Sequence, residues 1–265
     1  MNMYIHELKA GKRSTIIWTV TLLAILILYM SFYTMIKNDA DAFVKIMEGV
    51  SPVIRQALGI AINQITSPLG YYSFVFSFIL FLGALQGMNT GVNIISKEVR
   101  DKTADFLLTK PKTRVSIITA KLLAGLTCIL ITGVIYIIMS AIAMSLFTGE
   151  TYNMTALILI STTLLITELI FYTLGFLTAV IFPKIKSVIS VSLPVVFAFY
   201  FAGLMASITG DELYRDLSIF KYFNPMYIIL NSSYETKYLM LSVAIIIVGF
   251  ALSYVIYSKK DVHAV

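Results

Sequence analysis

Six long apolar runs, at 16–36, 71–95, 115–147, 155–182, 188–208 and 238–257, constrain this chain more than any other feature of it. Crossing about 30 Å of hydrocarbon takes roughly 20 apolar residues in a helix, and each run reaches that length. The composition agrees. Hydrophobic residues make up 58% of the chain and charged ones 13%, whereas a soluble domain carries about a quarter charged residues. Disorder needs low hydrophobicity and high charge, so the same figures exclude it. The fold class is therefore an all-α integral membrane protein with six transmembrane helices. The single cysteine, Cys128, lies inside the third run, so no disulfide framework or thiolate metal cluster forms within one chain. The first run exceeds the roughly 7–15-residue core of a signal peptide and lacks a small-residue cleavage site after it. It is expected to persist as a helix, preceded by a basic amphipathic stretch at 1–15.

A net charge of +6 would suggest a nucleic-acid partner in a soluble protein. Here it is read by topology, because Lys and Arg mark cytoplasmic loops, and no nucleic acid is expected. Six spans put both termini on one side. Counted that way, 14 of the 20 basic residues fall on the terminal side and 6 on the other, which also carries eight acids. Both termini are thus expected in the cytoplasm. Two segments of the opposite side are too long for turns. In 37–69, Phe43, Ile46, Met47, Val50, Ile54 and Leu58 recur at near-helical spacing with Pro52 interrupting, which predicts a broken amphipathic helix along the outer surface. In 210–235, Leu213, Leu217, Phe220 and Phe223 precede Asn224-Pro225, which predicts a short helix and a turn before the sixth span.

Between spans two and three, residues 98–109 form a charged, helix-permissive run holding the pair Leu107-Leu108, and Pro111 stops it. A short helix over 98–112, parallel to the membrane, is expected there, exposing charge and a few apolar residues to a soluble partner. Its residues Glu98, Thr103, Leu107, Leu108, Pro111 and Arg114, with Lys121 beyond, resemble the Glu…Gly-Thr…Leu-Leu…Pro…Arg…Lys pattern of ABC-2 type transporter permeases. The basic N-terminus, the six spans, Asn224-Pro225 before the last span and the terminal Tyr257-Ser-Lys-Lys-Asp261 extend the resemblance over the whole chain. Lys102 stands where many members carry glycine, which alters the turn before the helix. The resemblance implies that 98–112 is a coupling helix seated in a groove of a cytoplasmic ABC ATPase subunit, two copies per transporter. Its contacts are then expected from Glu98, Arg100, Asp101, Thr103, Phe106, Leu107, Leu108, Pro111 and Arg114. No Gly-x-x-x-x-Gly-Lys-Ser/Thr phosphate loop occurs in the chain, so ATP and magnesium belong to that partner and no cofactor is expected here. Six helices are half of such a permease, which implies a second permease chain, identical or homologous, in the cell membrane.

Polar groups inside the spans offer candidates for a passage. Gln86, Asn89 and Asn93 share one face of the second span, while Gly83, Gly87 and Gly91 form another that permits close helix contact. The amides either line a passage or bond a neighbouring helix. Glu168 in the fourth span is costly in a bilayer, which points to a cavity or a partner, and a structural hydrogen-bonding role competes with a substrate role. Pro194 is expected to kink the fifth span, placing Phe197 and Phe201 as apolar walls, although membrane helices also tolerate proline. Enzymes fare poorly. His6-Glu7 opens a His-Glu-x-x-His pattern that Ala10 breaks, and Gly-x-Ser-x-Gly does not occur. The expected function is a permease subunit exporting an amphipathic peptide, antibiotic or drug-like compound. The alternatives are a permease for ions or polysaccharide, and a non-transport immunity or assembly factor.

Overall fold

The computed structural model describes residues 3–51, 55, 65–101, 113–182 and 184–259, and their regular structure is helical throughout. In chain order the helices are α1 (Met3–Ser31), α2 (Tyr33–Asn38), α3 (Ala40–Glu48), α4 (Pro68–Arg100), α5 (Arg114–Thr148), α6 (Met154–Ile181), α7 (Ile189–Thr209), α8 (Glu212–Leu217), a 3₁₀ turn (Ile219–Lys221), α9 (Pro225–Asn231) and α10 (Thr236–Lys259). Six of the helical stretches are long and apolar enough to cross a membrane, and each contains or closely matches one of the six runs.

The helices begin where polar side chains satisfy their free amide groups. Ser67 accepts from Gly70 N at 3.1 Å with Pro68 in the first turn, Thr113 from Ser116 N at 3.2 Å, and Asn153 from Ala156 N at 3.2 Å. These caps extend the helices past the apolar runs. α5 ends on Gly149, whose φ of +59° lies in the left-handed region that favours glycine.

Three sequence expectations change. The basic N-terminus is no separate amphipathic helix: it continues into the first span as α1, and the break falls at Phe32, whose amide bonds Tyr29 O at 3.1 Å in a tightened turn. Asn224-Pro225 starts a helix rather than a turn, because the Asn224 side chain caps Met226 N at 2.9 Å and Pro225 occupies the first helical position, where its missing N–H costs nothing. Residues 98–100 do not open a new coupling helix; they are the last turn of α4. Of the outer amphipathic segment, α3 lies within the described residues, and Pro52, Ile54 and Leu58 lie outside them.

α4 and α6 form the centre of the bundle: 61% of the apolar stretch of each is buried, against 17% for α7 and for α10. α1 packs on α5, α5 and α10 pack on α6, and α7 packs on α4. The glycine row decides how closely the central pair approaches. A Cβ at Gly87 would lie 2.4 Å from Glu168 O, one at Gly91 2.3 Å from Tyr172 O, and one at Gly175 of α6 2.4 Å from Met88 O. The two backbones are in direct contact, which dispersion between small residues stabilises in a bilayer. Towards the Gly149 end, Tyr72 of α4 bonds Tyr136 of α5 at 3.1 Å and Ser161 of α6 at 2.7 Å, and Ser140 bonds Ser161 at 2.8 Å. That buried hydroxyl cluster ties three spans together. At the same end the 210–235 hairpin is clamped to the start of α10. Arg215 pairs with Glu235 and lies 4.4 Å over the Tyr238 ring, and Asp216 accepts from Lys237 at 2.7 Å and from Tyr238 at 3.1 Å. The Lys237 hydrogen bond holds the Asp216 carboxyl below its ordinary pKa.

Candidate functional site

Four charged side chains from three helices meet where α4 and α5 flank the 101–113 connection. Lys97 and Glu98 close α4, Lys121 stands two turns into α5, and Glu7 reaches across from α1. Lys121 Nζ pairs with the Glu98 carboxylate, donates to Ile94 O at 2.6 Å, and lies 3.7 Å from Glu7 Oε1; Lys97 Nζ bonds Glu7 Oε2. Lys121 is 1% exposed and Glu7 4%, so one charge of each sign is buried, while Lys97 and Glu98 are half-buried, and the four satisfy one another. Such a cluster gains little net stability over apolar packing, but losing one member leaves a bare charge at a cost of about 3–5 kcal/mol. What it gains is a fixed registry among α1, α4 and α5.

The sequence pattern named Glu98 and Lys121 but missed Glu7 and Lys97 as their partners. One signal was present. Glu7 is the only acid before Asp39, set among Lys9, Lys12 and Arg13, and a lone acid in a basic stretch asks for a specific partner. Of the expected ATPase contacts, Arg100 bonds Asn93 Oδ1 at 3.0 Å and Asp101 Oδ1 at 3.3 Å, and Arg114 is the first residue of α5. Thr103, Phe106, Leu107, Leu108 and Pro111 lie outside the described residues.

The amide row of α4 divides between two tasks. Gln86 is buried and donates to Thr132 Oγ1 at 2.9 Å, and Thr132 bonds Thr19 of α1 at 2.9 Å, so it acts as a link between helices. Asn89 and Asn93 instead line a cavity of about 360 Å³ with Glu7, Trp18, Lys97 and Cys128. The Asn89 Oδ1 atom is buried without a hydrogen-bond partner. An unsatisfied buried acceptor costs about 1–3 kcal/mol, and a donor entering this cavity would remove that cost.

Phe197 and Phe201 of α7 stand elsewhere. Phe197 packs edge-on to Phe81 at 5.1 Å and lies 6.0 Å from Phe201, and the amide-lined cavity meets only the start of α7, at Ile189 and the preceding Val188. Neither ring lines the cavity that Asn89 and Asn93 border. The rings remain 36% and 56% exposed, facing outward from the protomer beside Pro194, which α7 passes without ending. Glu168 lies wholly buried at the α4–α6 crossing, its Oε1 3.2 Å from the position of a Cβ on Gly83, and neither carboxyl oxygen has a hydrogen-bond partner. It lines neither this cavity nor the larger one at the Gly149 end.

Arranged this way, the described residues hold a linked set of helices and a chamber lined by amides and apolar side chains together. Among the described residues no group of three or more His, Cys, Asp or Glu is placed to hold a metal. No curated protein matches the chain. A family model described as ABC-2 family transporter protein matches residues 1–262.

Proposed function

The chain belongs to the ABC-2 transporter family, and from that premise we propose that it is the membrane subunit of an ATP-driven exporter, moved by a separate cytoplasmic ATPase that docks on residues 98–112. Membership makes it a multi-pass permease component rather than a catalyst. In the proposed reading two permease chains assemble in the cell membrane with both termini inside, ATP and magnesium sit on the ATPase, and the cargo is an amphipathic compound.

The observation that carries the coupling is the cluster of Glu7, Lys97, Glu98 and Lys121, with Glu7 and Lys121 buried at its centre. The connection between α4 and α5 hangs from two helix ends that Lys121 and Glu98 hold together, with α1 joined through Glu7. A displacement of that connection therefore moves three helices as a unit, and α4 passes it to α6 through backbone contact at Gly87 and Gly91. The cargo chamber in this reading combines the Asn89 and Asn93 amides with apolar rings such as Phe197 and Phe201, brought together across two chains. Apolar walls bind the nonpolar face of a cargo while a few amides orient its polar groups.

The test is Leu107→Asp. A charge placed in a protein interface costs several kcal/mol if unpaired, so the variant should insert normally and lose the ATPase on copurification. Unchanged association and transport would remove the coupling assignment. For the chamber, Asn89→Ala and Phe197→Ala should raise the cargo concentration that half-stimulates ATP hydrolysis, with basal hydrolysis and assembly unchanged. No shift in either variant would refute it.

A further inference from the structure

A second and larger cavity, about 600 Å³, opens at the Gly149 end between α4 and α7 under the 210–229 hairpin. Its walls are largely apolar, including Phe74, Leu80 and Phe220, with the Ser77 and Ser207 hydroxyls and Tyr200 among them. Into this space faces Lys221. Its stem lies along α7, with Cγ 3.5 Å and Cε 3.6 Å from the position of a Cβ on Gly203. The turn that carries it is stitched to α7 by Ser218 Oγ, which donates to Phe199 O at 2.8 Å. The lysine is therefore placed by the fold rather than left at the surface.

Three other charged side chains line the cavity: Asp211, Glu212 and Arg215. Arg215 is paired with Glu235. Asp211 caps Leu213 N at 2.9 Å, and Glu212 is exposed to solvent at the cavity's edge. Lys221 is half-buried, and no hydrogen bond or ion pair ties its ammonium to another described residue. The charge acting on it is Arg215, of like sign; burial first and that repulsion second push its pKa down. A half-desolvated ammonium with no ion-pair partner among the described residues, set against apolar walls, is relieved by an anion.

We propose that this outer cavity binds an amphiphile with a single anionic head, carboxylate or phosphate, whose head pairs with the Lys221 ammonium while its apolar body lies against Phe74, Leu80 and Phe220. The chemistry is shared by two sources: an anionic lipid of the outer leaflet, and a cargo molecule on its way out. Binding is read on the permease chain alone, so it stands or falls separately from ATP-driven export.

The experiment uses the full chain in a neutral maltoside detergent, titrated calorimetrically with dodecyl phosphate and, in parallel, with dodecanol. Dodecyl phosphate should bind saturably. Lys221→Gln should weaken it about tenfold or more, the size of a lost charge-assisted hydrogen bond, and Lys221→Arg should retain it. Dodecanol should be indifferent to residue 221. Equal affinity of the wild-type chain for the two probes, or equal affinity of wild type and Lys221→Gln for dodecyl phosphate, overturns the site; the first comparison needs no variant to fold. In nanodiscs, displacement of dodecyl phosphate when phosphatidylglycerol replaces phosphatidylcholine assigns the site to lipid. Retention there assigns it to a single-chain, cargo-like amphiphile, and both results uphold the site.

Discussion

Lys121 is an ammonium with almost no access to water, two acids within reach and a helix carbonyl as a third partner. Its removal should therefore be felt far more than its net contribution suggests. Lys121→Met leaves the half-buried Glu98 without its cation and takes a cation from the buried Glu7, and should destabilise the chain by up to about 3–5 kcal/mol. The double variant Lys121→Met/Glu98→Met should recover most of that loss, because apolar residues of similar volume replace a buried pair at little cost. Thermal unfolding in detergent, followed by the fraction remaining monodisperse, measures both; a double variant no better than the single one would mean the two side chains do not act as a pair. This scale also separates what was legible in the sequence from what was not. Glu98 and Lys121 stood out because the family pattern names them. Glu7 and Lys97 did not, since their roles depend on α1 lying against the end of α4, and charge pairing across helices leaves no periodic trace in one chain.

Among the elements, the α4–α6 crossing is the tightest contact, and it separates glycines that look alike in sequence. At Gly87 a methyl group would meet the backbone of Glu168, which cannot yield; at Gly11 it would meet Cys128 Sγ at 3.4 Å, an ordinary contact edge. Gly87→Ala should then cost about 1–3 kcal/mol through overpacking. Gly11→Ala should be neutral or gain some of the roughly 0.5–1 kcal/mol by which alanine exceeds glycine within a helix. Matched unfolding measurements decide it, and equal effects at the two positions would discount the crossing as the cause. The glycine row was readable on α4 from its spacing of four. Its partner was not, because Gly175 is a single small residue on a helix crowded with others. The third, fourth and fifth apolar runs match α5, α6 and α7 to within a residue at each end, whereas the first run lies within a helical stretch that begins at Met3. The 210–235 hairpin was harder: Asn224-Pro225 suits a turn and a helix start equally well by type, and only the hydrogen bond from Met226 N selects the second.

For the whole molecule, orientation rests on the 14-to-6 division of basic residues. In a Cys128→Ala background, single cysteines at Thr109 and Ser51 should react with a membrane-impermeant thiol reagent from opposite faces, Ser51 in intact cells and Thr109 only after lysis. Labelling of Thr109 from outside would invert the topology.

α4 takes part in both chambers. Gly70 to Leu80 border the larger one, Asn89 to Lys97 the smaller one, and between them Gly83 and Gly87 press against α6. A stiff rod held near its middle behaves as a seesaw: when one end swings, the other swings the opposite way. A wedge such as Ser77→Trp in the larger chamber should accordingly change how fast a cysteine at Asn93 is alkylated in the smaller one, while an unaltered rate would mean that α4 bends instead of pivoting. If it pivots, the two chambers trade volume through a single helix, and neither is free to widen on its own.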